Sequence, residues 1–189
     1  ALTITAEAKS KVYGGVEPGL TWQITAGALV GSDSVSGALS RVAGENVGSY
    51  AINQGSLSLN SNYILNYSGA DLTIGLRAIT ITADAKNKVY GQVDPALTYQ
   101  ISSGSLADGD SLTGSLTREV GETVGPYAIT QDTLTANSNY DLTFVGDNLT
   151  ISLAPLTVTA DAKSKIFGQD DPALTYQITS GALIGDDVL

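Results

Sequence analysis

Cysteine and histidine are both absent from the 189 residues. Without cysteine there is neither a disulfide framework nor a thiolate metal site. Without histidine, Ser-His-Asp and Cys-His catalysis fall away, together with the commonest protein ligand of zinc and copper. Basic side chains are scarce: 9 Lys and Arg stand against 19 Asp and Glu, for a net charge of -10. A field of that sign repels nucleic acid and anionic lipid, so neither is expected as a partner. Charged residues make up only 15% and hydrophobic ones 42%, which is too apolar for a disordered tail. No uninterrupted apolar run approaches the roughly 20 residues that a helix needs to cross a bilayer, so membrane insertion is not expected.

What is present is repetition. ALTITAEAKSKVYGGVEPGLTWQIT at Ala1 returns as AITITADAKNKVYGQVDPALTYQIS at Ala78 and as PLTVTADAKSKIFGQDDPALTYQIT at Pro155, at a constant interval of 77 residues. Gapless recurrence of that length marks tandem structural units. The units read as residues 1–77, 78–154 and a shortened 155–189, whose last residue, Leu189, corresponds to Val35. That third copy leads us to expect a longer array. Charge drifts between the copies: Asp108, Glu119, Asp132 and Asp141 replace neutral residues of the first. Carboxylates that did chemistry would therefore be missing from one copy, and a solvated surface explains them.

Within each copy, apolar residues alternate with polar ones. Leu2, Ile4 and Ala6 form one such run. Leu20, Trp22 and Ile24 form another, matched by Leu97, Tyr99, Ile101 and by Leu174, Tyr176, Ile178. Tyr50/Ile52, Tyr63/Leu65/Tyr67 and Leu72/Ile74 complete the set, with counterparts in the second copy. Period-two runs rich in Thr, Tyr, Val and Ile are strands, and Tyr-Gly and acid-Pro steps supply the turns between them. No window makes a convincing helix; Ser111–Arg118 has helical spacing, but Gly and Thr weaken it, so it reads as strand or loop with at most one short helical turn. The joints are short: Leu72–Ile74 passes through Gly75-Leu76-Arg77 directly into Ile79–Ile81. So few residues cannot carry the chain back across a module, because each spans at most about 3.6 Å. The first and last strands of a module should therefore run the same way, giving stiffly joined beads and a rod-shaped monomer.

The blocks TADAK-x-K-V-Y-G-Q-x-D-P-A-L-T-Y-Q-I, G-E-x-V-G-x-Y-A-I and N-S-N-Y-x-L-x-Y/F resemble the MBG-type (YGX/YDG) repeat modules of large bacterial surface proteins, including filamentous-haemagglutinin-like adhesins. The resemblance covers the whole chain. It implies a secreted, extracellular module at the bacterial cell surface, β-grasp-like, that builds a stalk and has no known activity. The fold class expected is thus mainly β, in tandem small modules with little helix. Because the sequence offers little for the helix of a β-grasp, immunoglobulin-like sandwich beads stay open as an alternative. So does a β-solenoid, although no sub-period of 20–30 residues occurs within the 77.

Several side-chain groups are candidate sites. Asp108-Gly109-Asp110 and Gly185-Asp186-Asp187 place acids beside glycine, but calcium needs six to eight oxygens. Copy one offers only Asp33, so Asp108 and Asp110 are weak calcium candidates and no resident metal is expected. The recurring acid pair Glu7/Glu17, Asp84/Asp94 and Asp161/Asp171 could imitate the two carboxylates of a glycosidase. The second member precedes proline each time, which a turn explains. Lys9/Lys11, Lys86/Lys88 and Lys163/Lys165 read as charges that discourage edge pairing. The sharper reading, an amide cross-link from Lys to the last strand, meets Asp71 in one copy and Asn148 in the next. Thr3/Thr5 and its counterparts lack the rung-by-rung repetition of a ligand-binding threonine ladder. Asn66 and Asn148 sit in glycosylation triplets, which arise often by chance. No catalytic residue and no cofactor are expected. The function expected is that of structural stalk repeats of a secreted adhesin or fibre, touching neighbouring repeats and self-associating into fibres. The alternative is a module that binds host glycan or protein.

Overall fold

A computed structural model describes residues 1–189. It contains strands, turns and loops and no helix. In the first repeat the alternating run β1 (Leu2–Ala6) buries Leu2, Ile4 and Ala6 and leaves Thr3 and Thr5 half-buried. The chain then steps out of that sheet at Glu7-Ala8 and continues as β2 (Lys9–Val12) in another. β3 (Trp22–Ala26), β4 (Ser40–Arg41), β5 (Gly48–Asn53), β6 (Leu65–Ser68) and β7 (Ala70–Gly75) complete the repeat. The strands form a three-stranded sheet, β3-β1-β6, and a four-stranded one, β2-β7-β5-β4.

The register carries the architecture. β1 pairs antiparallel with β3 and parallel with β6, setting Ile4 beside Ile24 and Tyr67. β2 pairs parallel with β7, from Lys9 opposite Leu72 to Val12 opposite Gly75. The first and last runs of the repeat therefore do run the same way, in both sheets. Each changes sheet once, the first at Glu7-Ala8 and the last at Gly69. Two apolar clusters lie along this seam. Leu2 and Ile4 meet Leu57, with Trp22, Tyr63 and Tyr67 packed around them. Ala6 meets Ile52, Leu72 and Ile74, with Tyr13 and Tyr50 packed around them.

The second repeat repeats the plan. Its strands are β8 (Arg77–Ala83), β9 (Lys86–Val89), β10 (Tyr99–Ser103), β11 (Thr117–Arg118), β12 (Gly125–Thr130), β13 (Tyr140–Val145) and β14 (Asp147–Ser152). The sheet orders β10-β8-β13 and β11-β12-β14-β9 match those of the first repeat, including the parallel β9–β14 pair. The third copy supplies only β15 (Thr157–Ala160) and β16 (Tyr176–Ser180), an antiparallel pair. By contacts the chain separates into two compact units. One comprises Ala1–Ile81, Ile101–Gly114 and Thr133–Val145; the other comprises Thr82–Gln100, Ser115–Asp132 and Gly146–Leu189. The division falls within the second repeat. These small helix-free modules, with two mixed sheets each, are neither solenoid rungs nor all-antiparallel sandwiches.

One expectation needs correcting. The run Leu20–Ile24 is strand only from Trp22: β3 lies on a sheet edge and leaves Ile24 36% exposed. An edge strand has a neighbour on one side only, so alternation there guarantees little burial. The stretch Ser111–Arg118 is, as expected, loop and strand: a loop closed by the Thr113–Thr135 bridge and then β11. Depth within the sheet should decide the energetics. Leu72, with no exposed surface between β2 and β5, should lose about 2–5 kcal/mol on truncation to alanine. Ile24→Ala should lose under about 1 kcal/mol. Urea unfolding of the two variants checks the contrast.

Candidate functional site

The most strongly constrained side chains are charged. β2 turns Lys11 inward, where only 6% of its side chain stays exposed. Its ammonium sits 2.7 Å from Glu17 and also contacts Glu45. Arg41, on β4, reaches the same two carboxylates and donates to the carbonyls of Val42 and Gly44. The second repeat builds the same square from Lys88, Asp94, Arg118 and Glu122, with Lys88 2.6 Å and Arg118 2.7 Å from Asp94. Two cations and two anions neutralise one another, so a lysine can leave water. The Arg41 guanidinium, and then Lys11, hold the Glu17 carboxyl down to about 2. Arg118 and Lys88 lower Asp94 likewise.

The motif G-E-x-V-G-x-Y is the other half of this square. Gly44 has φ 152°, and a Cβ there would lie 2.0 Å from Tyr50. Gly121 stands the same way to Tyr127, at 2.2 Å. Glycine thus lets the tyrosine ring lie across the loop, where the guanidinium stacks on it at 5.6 Å for Arg41 and 5.3 Å for Arg118. The hydroxyl of Tyr50 donates to the Asn46 carbonyl, and that of Tyr127 to Thr123. Glu45 and Glu122, next to those glycines, are delivered to the lysine.

The third cluster is the joint within the first compact unit. Asn139 is buried, and its side chain accepts from the Val47 amide at 2.9 Å and donates to the Asn46 side chain at 3.0 Å. Its carbonyl accepts from the Arg77 amide at 3.0 Å. The Arg77 guanidinium in turn donates to Ser105, at both carbonyl and hydroxyl, and to the Tyr13 carbonyl. Tyr13 meets Tyr140 edge-on, with ring centroids 5.5 Å apart. Gly14, at φ 66°, allows close approach: a Cβ there would lie 2.7 Å from that of Ala107. In the second unit the equivalent Gly91 meets Ile184, and Asp187 beside Tyr90 raises the pKa of its phenol.

The calcium candidates divide. Asp110 accepts from the Tyr140 hydroxyl at 2.6 Å and from Asn137 at 3.1 Å, and it raises the pKa of Tyr13 by hydrogen bonding. Asp33 holds Tyr63 and Asn60 in the first repeat by the same bonds. Asp108 is exposed and shares none of them. No group of three acidic side chains converges on a point that could hold an ion. The acid-proline residues Glu17 and Asp94, read as turn formers, are also the anions of the buried squares. Lys11 and Lys88, read as edge guards, stand on edge strands but spend their charge inward. Asp71 and Asn148 lie exposed on β7 and β14, while the Lys11 and Lys88 ammonium groups lie on Glu17/Glu45 and Asp94/Glu122. Two contributors passed unnoticed in the sequence, Arg41 and Arg118. Their signal was recurrence at 77 residues with a glutamate four positions on.

Among known families, the one described as MBG domain (YGX type) matches residues 2–73, 79–150 and 156–189. No curated protein matches the chain, and no solved structure does.

Two tests follow from the geometry. Glu17 titrates lower in the folded chain than in the unfolded one, so its stabilisation is complete above about pH 4.5 and is lost as pH falls toward about 2. Thermal melting should fall across that window, and Glu17→Gln should lower stability at pH 7 while flattening the acid limb. For the joint, Asn139→Ala removes the partners of Val47 and Asn46. Hydrogen exchange at the Val47 amide should accelerate at least about tenfold, with the amides of β5 and β7 unchanged.

Proposed function

The chain belongs to the YGX-type MBG domain family, and from that membership we propose that it serves as a run of spacer repeats that carry tension in a secreted adhesin at the bacterial cell surface. MBG domains are non-catalytic structural repeats that occur in tandem. The observation that carries the finer reading is the reception of one repeat's Tyr-Gly turn by the next, at Tyr13-Gly14 and again at Tyr90-Gly91. A spacer that transmits position needs joints that resist swivelling, and a buried asparagine with three bonds supplies one. The parallel pairing of β2 with β7 adds a second argument. Tension between the ends of a repeat loads those strands in shear, so their hydrogen bonds must fail together rather than one at a time. The repeat boundaries after residues 77 and 154 belong to this proposal, as do self-association into fibres and the absence of a resident metal, with Asp110 acting as a structural acceptor for tyrosines.

Stretching single molecules should give repeated unfolding events with contour gains of about 25 nm, the extended length of some 77 residues less the folded span. Gains of half or twice that length would replace these boundaries with others. Retention on a glycan array or on host cells would turn the reading from spacer to binding module. Chelation should leave the melting temperature unchanged, because little binding free energy is linked to folding where no ligand set exists. A drop of tens of degrees in EDTA would restore Asp108 and Asp110 as a calcium site.

A further inference from the structure

The two sheets of a complete repeat end in four edge strands, and these are not alike. β2 carries Lys9 and Lys11, and β9 carries Lys86 and Lys88. β4 and β11 are two residues long and end in Arg41 and Arg118. β13 sets the exposed Asp141 on the edge that β6 forms in the first repeat. The remaining edge, β3 (WQITA) and β10 (YQISS), has neither charge nor proline in either repeat. Lysine, proline and extreme shortness are the usual protections of an edge, and this one has none of them. The Glu7 amide donates to the Thr21 carbonyl at 2.9 Å, and the Asp84 amide to the Thr98 carbonyl at 2.9 Å. Backbone groups alternate along an antiparallel pair, so those of Trp22 and Ile24, and of Tyr99 and Ile101, point away from β1 and β8. No strand lies beyond them. Ile24 and Ile101, at the rim of the apolar face, are 36% and 37% exposed. β3 is open with a complete repeat after it in the chain, and β10 with a complete repeat before it, so neither end of the chain creates this edge.

We propose that this edge is where two copies of the chain meet, each adding β3 or β10 to the other's as an antiparallel neighbour. The inference rests on the self-association proposed above and names its surface. The register follows from which backbone groups face outward. Trp22 of one copy stands opposite Ile24 of the other, and the two Gln23 side chains meet on the twofold axis between them. Tyr99, Gln100 and Ile101 stand likewise. An amide side chain holds both donor and acceptor, so glutamine is its own complement. An aromatic ring opposite Ile24 covers apolar surface that the edge leaves wet. Charge makes a second copy the occupant: two chains of net charge -10 repel, and at a neutral edge they approach without setting like charges together. The carboxylate of Glu7, which lies against β3, is bound by Lys9 at 3.2 Å and by Thr21 and Gln23.

Sedimentation velocity of the full chain should show a weight-average coefficient that rises between about 10 μM and about 1 mM, the range suited to a small interface. Over the same range, hydrogen exchange should slow at the amides of Trp22, Ile24, Tyr99 and Ile101. The amides of Gln23 and Gln100 already face β1 and β8 and should not change. Replacing Gln23, Gln100 and Gln177 together by lysine opposes like charges at every copy of the edge and should weaken association about tenfold or more. The three glutamate substitutions should do the same. An equimolar mixture of the two triple variants should restore association, which a folding defect would not do. A chain that stays monomeric at about 1 mM overturns this proposal together with the self-association on which it rests. Association that survives both triple variants, or that protects other amides instead, overturns the edge alone and leaves self-association standing.

Discussion

Parallel pairing between the first and last runs of a repeat is the constraint on which the rest depends. β1 lies against β6 and β2 against β7, so each end of the repeat contributes one strand to each sheet. Parallel strands cannot be joined by a tight hairpin. The intervening residues must therefore travel over the module and return, and β3, β4 and β5 are made on that journey. Because the last strand leaves in the direction in which the first entered, Leu76 alone separates β7 from β8. A short joint is thus a consequence of the topology. It is also what brings Arg77 and Asn139 within reach of the turn at Tyr13.

The same topology accounts for the buried lysine. β2 is an edge strand beside β7, and the other edge, β4, carries Arg41. The loops after β2 and after β4 bring Glu17 and Glu45 over the face between them. An ammonium with so little exposure is costly unless matched. Here it is matched twice, with the guanidinium restoring neutrality and a tyrosine ring beneath it. The square therefore ties β2 and the loop after it to β4 and the loop after it.

The joints share a plan and differ in chemistry. Gly14 faces Ala107, whereas Gly91 faces the larger Ile184. Arg77, which donates to three acceptors, corresponds by the 77-residue interval to Ala154, whose side chain has no donor. One junction carries hydrogen bonds to a buried asparagine, and the other sets Gly91 against Ile184 and Tyr90 beside Asp187. Small modules with modest cores gain from such neighbours, because a repeat that buries its end on the next exposes less surface to water.

Much was legible in the sequence because it depends on local pattern. Period-two alternation located β1, β5 and β7, the 77-residue interval marked the repeats, and the short joint required that the first and last strands be parallel. The motif blocks carried the family. What only the tertiary structure decided was which distant residues meet. Glu17 and Asp94 look like acids before proline, and their service as counter-ions depends on Arg41 and Arg118, 24 residues further on. The buried place of Asn139 depends on Asn46 and Val47, more than 90 residues earlier. Lys9–Val12 and Lys163–Ile166 are nearly identical and differ in being strand or not. Alternation and propensity describe what a segment can become; the partner strand, loop or neighbouring repeat that takes up its hydrogen bonds and covers its apolar face decides what it is.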